Sequence, residues 1–216
     1  MFLLLSSYVL TADALRGLRT PLPRPVGGRA GIVLNALDQF GPTRDYALGR
    51  ERRTFEECGY RCTELDLRSY FGRPDALAAH LAELDLVWAL GGNVFVLARA
   101  MDAAGFGPAV RQQAARPEFV YGGFSAGACV AGPDLRGLDL VDDATLVPDG
   151  YPPDARPVGL GLVPFRIVPH WRSDSPDAPG AERAVQYLAA AGLDHRALRD
   201  GEAVDGQGAP LLSLDN

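Results

Sequence analysis

Lysine is absent from this chain of 216 residues, and all 21 of its basic residues are arginines. Catalysis through a lysine Schiff base or a serine–lysine pair is therefore excluded. The formal net charge of −6 also argues against a nucleic-acid partner, because binding to a phosphate backbone depends on clustered positive charge. Any base that works near neutral pH has to be found among only three histidines.

Cysteine is scarce as well. Cys58, Cys62 and Cys129 are an odd number of residues without a repeated spacing, which favours reduced thiols over a disulfide framework. Cys58 and Cys62 are separated by three residues, but no second pair of Cys or His completes a metal site. We therefore expect no metal and no organic cofactor.

The chain also lacks a long hydrophobic run. Its apolar opening, MFLLLSSYVL, is too short to span a membrane, and it is a poor match to a signal peptide because no basic residues precede it. We interpret it as a buried strand, and we expect a cytoplasmic protein without a membrane partner.

Hydrophobic residues make up 47% of the chain, and the length suits one domain spanning residues 1–216. Runs rich in Val, Ile, Leu and Phe alternate with segments at helical spacing, and Gly/Pro clusters separate them. This alternation predicts an α/β fold in which helices cover a mostly parallel sheet.

The predicted elements follow from the same patterns. Strands are predicted at Phe2–Leu5, Gly31–Ala36, Arg61–Leu65, Leu86–Ala89, Phe119–Gly122 and Arg166–Val168. Helices are predicted at Arg44–Cys58, Asp75–Glu83, Val94–Ala104 and Ala181–Ala190. A proline-rich loop is predicted over residues 20–28, and irregular connections with short β pieces over residues 133–164.

The strongest local signal is the segment from Phe119 to Val130, FVYGGFSAGACV, in which an apolar run enters Gly-x-Ser-x-Gly. This pattern is typical of a sharp strand-to-helix turn that presents a serine, because glycine on both sides permits close approach of other backbone. Ser125 is therefore the predicted nucleophile. It would lie at the positive end of a helix, with the N–H of Ala126 directed at a developing oxyanion.

A second glycine-rich turn, Leu90-Gly91-Gly92-Asn93, also follows an apolar run and precedes a helical segment. It is a candidate for the other N–H group of an oxyanion hole. On spacing alone it fits an ordinary strand-to-helix turn equally well. Its occurrence together with the Ser125 turn favours the catalytic interpretation.

A serine nucleophile needs a general base, and only His80, His170 and His195 are present. His80 lies in an Ala/Leu-rich helical segment and His195 in a polar stretch, so both are predicted at the surface. His170 follows the apolar run Phe165–Pro169, which would place its imidazole at the carboxyl edge of the sheet, where open α/β folds bind ligands. His170 is the predicted base.

The third member must be a carboxylate that orients the imidazole. Asp200, in a predicted turn, is the first choice and Glu202 the second. Asp139, Asp142 and Asp143 stay open as alternatives, because they would give the chain order serine, acid, histidine of the α/β-hydrolases.

Taken in order, these motifs resemble the peptidase E and cyanophycinase group of serine peptidases. The resemblance rests on four motifs and extends from Phe2 to about Val204: Gly91-Gly92-Asn93 with Phe95, Gly123-Phe-Ser125-Ala-Gly-Ala128, Pro169-His170, and Asp200-Gly201. It implies a three-layer α/β/α sandwich similar to class I glutamine amidotransferases, with serine in place of their cysteine. It also implies a triad of Ser125, His170 and Asp200, with Gly92 (or Gly91) and Ala126 as oxyanion donors.

In the aspartyl dipeptidases of this group, an arginine downstream of the histidine helps to hold the aspartyl side chain. The resemblance implies Arg183 for this role, with Arg172 as an alternative, and makes Gly91 and Asn93 further substrate contacts. A guanidinium suits a carboxylate because it can donate two parallel charge-assisted hydrogen bonds. One position departs from the pattern, since Cys129 stands where those enzymes typically carry Asn.

The predicted function is hydrolysis of short peptides, with aspartyl dipeptides as the leading substrates and an acyl-enzyme on Ser125. The alternatives are a cyanophycinase-like or other acyl hydrolase, and a noncatalytic binding module that kept the fold. The predicted partner is a small peptide, and the sequence makes no prediction of oligomeric state.

Overall fold

The centre of the molecule is a seven-stranded sheet, seen in a computed structural model that describes residues 1–23 and 27–213. Across the described residues the strands are β1 (Phe2–Ser6), β2 (Arg29–Val33), β3 (Arg61–Glu64), β4 (Leu86–Ala89), β5 (Val120–Phe124), β6 (Arg166–Val168), β7 (His195–Ala197), β8 (Ala203–Val204) and β9 (Pro210–Leu212). The sheet has the order β3-β2-β4-β5-β1-β8-β9. Its first five strands are parallel, and β8 and β9 continue it in antiparallel pairing.

Helices lie on both faces of this sheet. They are α1 (Ala12–Arg16), α2 (Thr43–Glu57), α3 (Pro74–Ala82), α4 (Val94–Ala104), α5 (Phe106–Gln112), α6 (Ala126–Cys129) and α7 (Ala178–Ala190). Single 3-10 turns occupy Asn35–Leu37, Leu67–Tyr70, Gln113–Ala115 and Leu138–Leu140. Within the described segments, no helix is long and apolar enough to cross a membrane.

Alternate residues of the strands enter two separate apolar layers, because successive side chains of a strand point to opposite faces. On β1, Leu3 and Leu5 pack with α3, α4 and α5, whereas Leu4 packs with α1 and α2. Both faces of the sheet are thus buried, which explains the unbroken apolar run at the start of the chain. The predicted three-layer α/β/α architecture is confirmed.

Several predicted elements agree with the structure residue for residue, namely Leu86–Ala89, Val94–Ala104 and Arg166–Val168. Others are displaced. The strand predicted at Gly31–Ala36 begins at Arg29 and ends at Val33, since the chain turns into a 3-10 segment at Asn35. The last helix begins at Ala178 rather than Ala181, because Pro179 is tolerated in a first turn.

The segment over residues 133–164 contains no strand, so the short β pieces predicted there are wrong. Its backbone instead makes isolated bonds to the segment that follows α6, such as Leu160 N–H to Val130 O at 2.7 Å and Gly161 N–H to Gly132 O at 2.9 Å. Of the loop predicted over residues 20–28, residues 24–26 lie outside the described residues, and the described flanks contain neither helix nor strand.

β6 is not part of the central sheet. It pairs in parallel with β7 in a separate two-stranded sheet, in the register Arg166 with His195 and Val168 with Ala197. The prediction that His170 follows a strand of the main sheet is therefore wrong. The parallel pairing nevertheless brings the segments after β6 and after β7 to the same end of the small sheet.

Candidate active site

Ser125 lies in the sharp turn between β5 and α6. Its backbone has φ 49° and ψ −117°, a conformation that costs an L-residue roughly 1–3 kcal/mol. The flanking glycines make the turn possible, because a Cβ at Gly127 would lie 2.0 Å from the carbonyl oxygen of Ala89 on β4 and one at Gly123 2.7 Å from the same oxygen. The Ser125 N–H donates to Ser6 O at 3.1 Å. The turn at Ser125 thus packs directly against β4 and β1.

His170 connects Ser125 to Asp200. The histidine is 5% exposed, and its Nε2 lies 3.1 Å from Ser125 Oγ while its Nδ1 lies 2.8 Å from Asp200 Oδ1. Because an ionised carboxylate can only accept, the Nδ1 position carries the proton and Nε2 is left to accept from the serine hydroxyl. This is the tautomer that a general base requires.

A buried serine, Ser7, bonds to both His170 and Asp200, and the sequence analysis missed it. Its hydroxyl accepts the N–H of His170 at 2.8 Å and donates to Asp200 Oδ1 at 2.8 Å. The N–H of Asp200 donates to Ser173 Oγ at 2.8 Å. Nothing in the local pattern around Ser7 marks it, because its partners are brought to it only by the long-range pairing of the strands.

The other candidate acids lie elsewhere. Glu202 accepts the backbone N–H of Arg199 at 2.8 Å, Asp139 is exposed, and Asp143 accepts two bonds from a neighbouring threonine. Asp142 lines a cavity at the site, but its Oδ2 accepts the N–H that begins α4. Among the predicted acids, Asp200 is the one that the structure brings to His170 Nδ1.

Two cavities meet at Ser125 and His170. The larger has a volume of about 610 Å³, and Gly91 and Asp200 are among the residues that line it. The smaller has a volume of about 220 Å³, and its lining includes Cys129. With the exception of Arg183, the predicted site residues thus lie around a pair of adjoining cavities of the size that small ligands occupy.

The predicted oxyanion donors lie on both sides of the serine. Gly92 has φ 135°, and a Cβ there would lie 2.4 Å from the carbonyl oxygen of Ala36, so the turn before α4 admits only glycine. Across the described chain, the N–H groups of Gly92 and Ala126 donate no hydrogen bond to the protein. Asn93 is occupied as the cap of α4, since its Oδ1 accepts the N–H groups of Phe95 and Val96 at 2.9 and 3.0 Å.

The two arginines predicted to hold a substrate carboxylate do not line either cavity. Arg183 is exposed and donates to Leu140 O at 3.0 Å. Arg172 lies over the ring of Trp171, with its guanidinium carbon 4.3 Å from the ring centroid. On α7, the residues that pack with Val168 of β6 are Ala181, Ala184 and Leu188, which leaves Arg183 exposed.

Cys129 and the two remaining histidines have structural contacts. Cys129 is buried with its Sγ 3.3 Å from Ile167 O, and burial raises the pKa of its thiol, so it borders the smaller cavity as a neutral packing group. His80 and His195 are half-buried rather than at the surface, and their Nδ1 atoms lie 2.6 Å from Tyr70 Oη and 2.9 Å from Leu193 O. In the part of the chain that the structure describes, no group of three or more His, Cys, Asp or Glu side chains could hold a metal ion.

Asp142 gives a pH-dependent prediction. Burial raises its pKa to about 6, an effect that the Val94 N–H and His170 oppose and that Asp177 reinforces. Between about pH 4 and 6 the folded chain therefore binds more protons here than the unfolded chain, so the free energy of unfolding falls as pH rises through this window. Asp142→Asn removes the titration. We expect the free energy of unfolding of the variant, measured relative to wild type, to be about 2 kcal/mol higher at pH 7.5 than at pH 4.5. Urea unfolding at the two pH values measures this difference.

The matched control is Asp143→Asn. The hydrogen bonds from Thr145 lower the pKa of Asp143, so this substitution should bring no gain at pH 7.5. An equal effect of Asp142→Asn at both pH values would contradict the assignment of the raised pKa to this carboxyl.

Comparison with known proteins decides the family. The model of peptidase family S51 matches residues 42–212. The chain belongs to peptidase family S51. As a member of this family it is a serine peptidase, in agreement with the resemblance that the motifs carry.

Relatives of this S51 peptidase include one protein named as a peptidase and one named as a dipeptidase. "Peptidase E" of Streptomyces coelicolor is 32% identical over 194 residues, which cover 87% of this chain and 72% of that protein. The "Probable alpha-aspartyl dipeptidase" of Drosophila melanogaster is 32% identical over 149 residues, which cover 66% of this chain but only 58% of that protein. The matched region is thus little more than half of the Drosophila protein.

Solved structures show the same fold. A candidate peptidase E from Listeria monocytogenes superposes with a TM-score of 0.77 at 19% identity, covering 98% of this chain and 97% of the other. A peptidase from an acI-B1 actinobacterium superposes with a TM-score of 0.63 at 14% identity, covering 95% and 83%. The S51 peptidase therefore shares its overall fold with these proteins.

Proposed function

We propose that this S51 peptidase hydrolyses short peptides through an acyl-enzyme on Ser125, with His170 as general base and Asp200 as the carboxylate that orients it. The observation that carries the proposal is the continuous hydrogen-bonded chain from Asp200 Oδ1 through the imidazole to Ser125 Oγ, with distances of 2.8 and 3.1 Å. A hydroxyl is a weak nucleophile by itself, and an adjacent base in the correct tautomer is what activates it.

In the first half of the reaction, Ser125 Oγ attacks the peptide carbonyl while His170 Nε2 takes its proton. The carbonyl oxygen becomes an oxyanion, and the N–H groups of Gly92 and Ala126 are the proposed donors to it. Donors that are already in place lose no free energy to reorganisation when the charge forms, which is why such groups accelerate acyl transfer strongly. Asp200 stabilises the imidazolium that results.

In the second half, the imidazolium gives its proton to the departing amine, and the peptide C–N bond breaks to leave an ester on Ser125. Water then attacks the ester as His170 takes a proton from it, and return of that proton to Ser125 Oγ releases the acid product. Each proton in this sequence is carried by His170, so the proposed reaction requires no metal and no organic cofactor.

Dipeptides with an aspartyl residue are the proposed substrates. Two observations support this class: the two cavities together suit a ligand of a few residues, and the Drosophila relative bears the name of an alpha-aspartyl dipeptidase. A partner larger than a short peptide is not part of the proposal.

A dipeptide panel tests the proposal. Wild-type protein is incubated with Asp-Xaa, Xaa-Asp and matched Asn-containing and non-acidic dipeptides, and products are quantified by mass spectrometry alongside a fluorophosphonate probe that marks the reactive serine. We expect turnover of Asp-Xaa above the matched controls and covalent labelling on Ser125. Labelling without any peptide turnover would move the substrate to another acyl compound, such as a cyanophycin-like polymer. A folded protein that neither turns over nor labels would indicate a noncatalytic binding module.

A further inference from the structure

Arg50 on α2 is the one arginine that lines either cavity at Ser125 within the described residues. Its side chain is 30% exposed and faces the larger cavity. The acidic side chains that line that cavity are Asp174, Asp177 and Asp200. A single guanidinium thus shares with three carboxylates the cavity that Ser125 lines.

An ion pair with a buried carboxylate holds this guanidinium in place. Arg50 Nε donates to Glu51 Oε1 at 2.7 Å, and Trp88 Nε1 donates to Glu51 Oε2 at 2.8 Å. Glu51 is 0% exposed, and burial raises its pKa while the charge of Arg50 opposes the rise. Burying a carboxylate costs free energy even when it is paired, and the proposed proton transfers make no use of this one. Its contacts instead fix the direction of Arg50.

The fixed guanidinium lies next to the nucleophile's turn. Its carbon lies 5.6 Å from the centroid of the Phe124 ring, and Phe124 is the residue before Ser125. Only Nε is used in the Glu51 contact. In the described part of the chain, Nη1 and Nη2 of Arg50 donate no hydrogen bond, so the two-nitrogen edge that suits a carboxylate is available.

We infer that Arg50 is the carboxylate anchor of the larger cavity, where Nη1 and Nη2 hold a carboxylate of the peptide while the scissile carbonyl lies at Ser125. Glu51 and Trp88 are positioning residues that act through Arg50. The carboxylate is either the C-terminal one of a short peptide or the side chain of an aspartyl residue. This inference rests on the proposed function, and it assigns to Arg50 the specificity role for which Arg183 and Arg172 were the sequence candidates.

The kinetic test compares three forms of one aspartyl dipeptide: the free peptide, its C-terminal amide, and the analogue with Asn in place of Asp. Arg50→Met is expected to raise KM about 30- to 300-fold for the free peptide, because a buried charge-assisted pair is lost. For the form that lacks the anchored carboxylate, the same substitution should change KM less than about 3-fold. If that form is the amide, Arg50 holds the C-terminal carboxylate; if it is the Asn analogue, Arg50 holds the aspartyl side chain. Arg50→Lys should recover part of the loss, since lysine keeps the charge but not the fork.

Two further variants separate positioning from folding. Arg53→Met, an exposed arginine on the same helix, is the matched control and should leave KM unchanged. Glu51→Gln should raise KM about 3- to 30-fold for the carboxylate-bearing peptide with little change in kcat, because it frees Arg50 without touching the reacting atoms. A loss that is the same for all three peptide forms would overturn the inference.

Peptide binding to a variant that lacks the Ser125 hydroxyl distinguishes failure of this inference from failure of the proposed function. Calorimetry with Ser125→Ala, alone and combined with Arg50→Met, measures affinity for the free dipeptide and for its amide without turnover. Binding that depends on both Arg50 and the carboxylate supports the anchor even if wild type hydrolyses none of the peptides. Affinities that do not change on removal of Arg50 overturn it.

Discussion

Ser125→Ala is expected to lower kcat for the best dipeptide by about 10⁴- to 10⁶-fold, the range seen when a triad nucleophile is removed. KM should stay within a few-fold, because the cavity walls and Arg50 are unchanged. The fold should also survive. Alanine is smaller than serine, and the hydrogen bond that is lost is the one between Ser125 Oγ and His170 Nε2. Steady-state kinetics with thermal unfolding as a check on folding measure both effects.

Ser69→Ala is the matched control for this substitution. Ser69 is exposed and lies in the 3-10 turn Leu67–Tyr70, away from both cavities, so its removal should leave kcat unchanged. A Ser125→Ala protein that keeps more than about a hundredth of wild-type kcat would show that another group attacks the substrate.

Asp200→Asn should lower kcat by about 10³- to 10⁴-fold. An amide can donate to His170 Nδ1, and the proton then moves to Nε2, so that the imidazole can no longer accept from Ser125. Ser173 Oγ would still accept the backbone N–H of residue 200. Ser7 can keep its donation to Leu198 O and accept from the amide, so the geometry should be kept while the tautomer is wrong. Kinetics together with the NMR shifts of the His170 ring protons test this explanation.

Glu202→Gln is the corresponding control, because Glu202 was the second candidate for the acid. Its carboxylate accepts the Arg199 N–H, so the variant should keep kcat within about 3-fold and lose a little stability. A loss with Glu202→Gln as large as that with Asp200→Asn would contradict the assignment of the acid.

The turn at Ser125 could be predicted from sequence because the interactions that form it are local. Gly123 and Gly127 flank Ser125 within five residues. Glycine is required at both positions because the turn passes close to the carbonyl oxygen of Ala89, and Ala89 is the last residue of a predicted strand, Leu86–Ala89. Val94–Ala104 was predicted correctly for a similar reason, since Asn93 caps it at one end and Gly105 ends it at the other.

What sequence could not predict depends on contacts between distant segments. β7 and β8 are three and two residues long. Unlike β6, they do not lie in a longer apolar run, so only their pairing partners make them strands. Ser7 has no local mark. In α2, Glu51 and Glu56 look alike in sequence, yet the first is buried against Trp88 and the second is exposed. The helix register that buries Glu51, and with it the direction of Arg50, is set by packing on the sheet.

The pairing of β8 with β1 determines when the residues around Ser125 can come together during synthesis. Leu5 pairs with Val204 and Ser6 with Ala203, so this edge of β1 is completed only when β8 has been translated, whereas its other edge pairs with β5. Until then the partner of Ser7, the carboxylate at residue 200, has not been made. The emerging chain therefore carries Ser125 and His170 without the carboxylate that bonds to the imidazole. Under the proposed mechanism, hydrolysis therefore begins only once Asp200 has been translated and has docked beside His170.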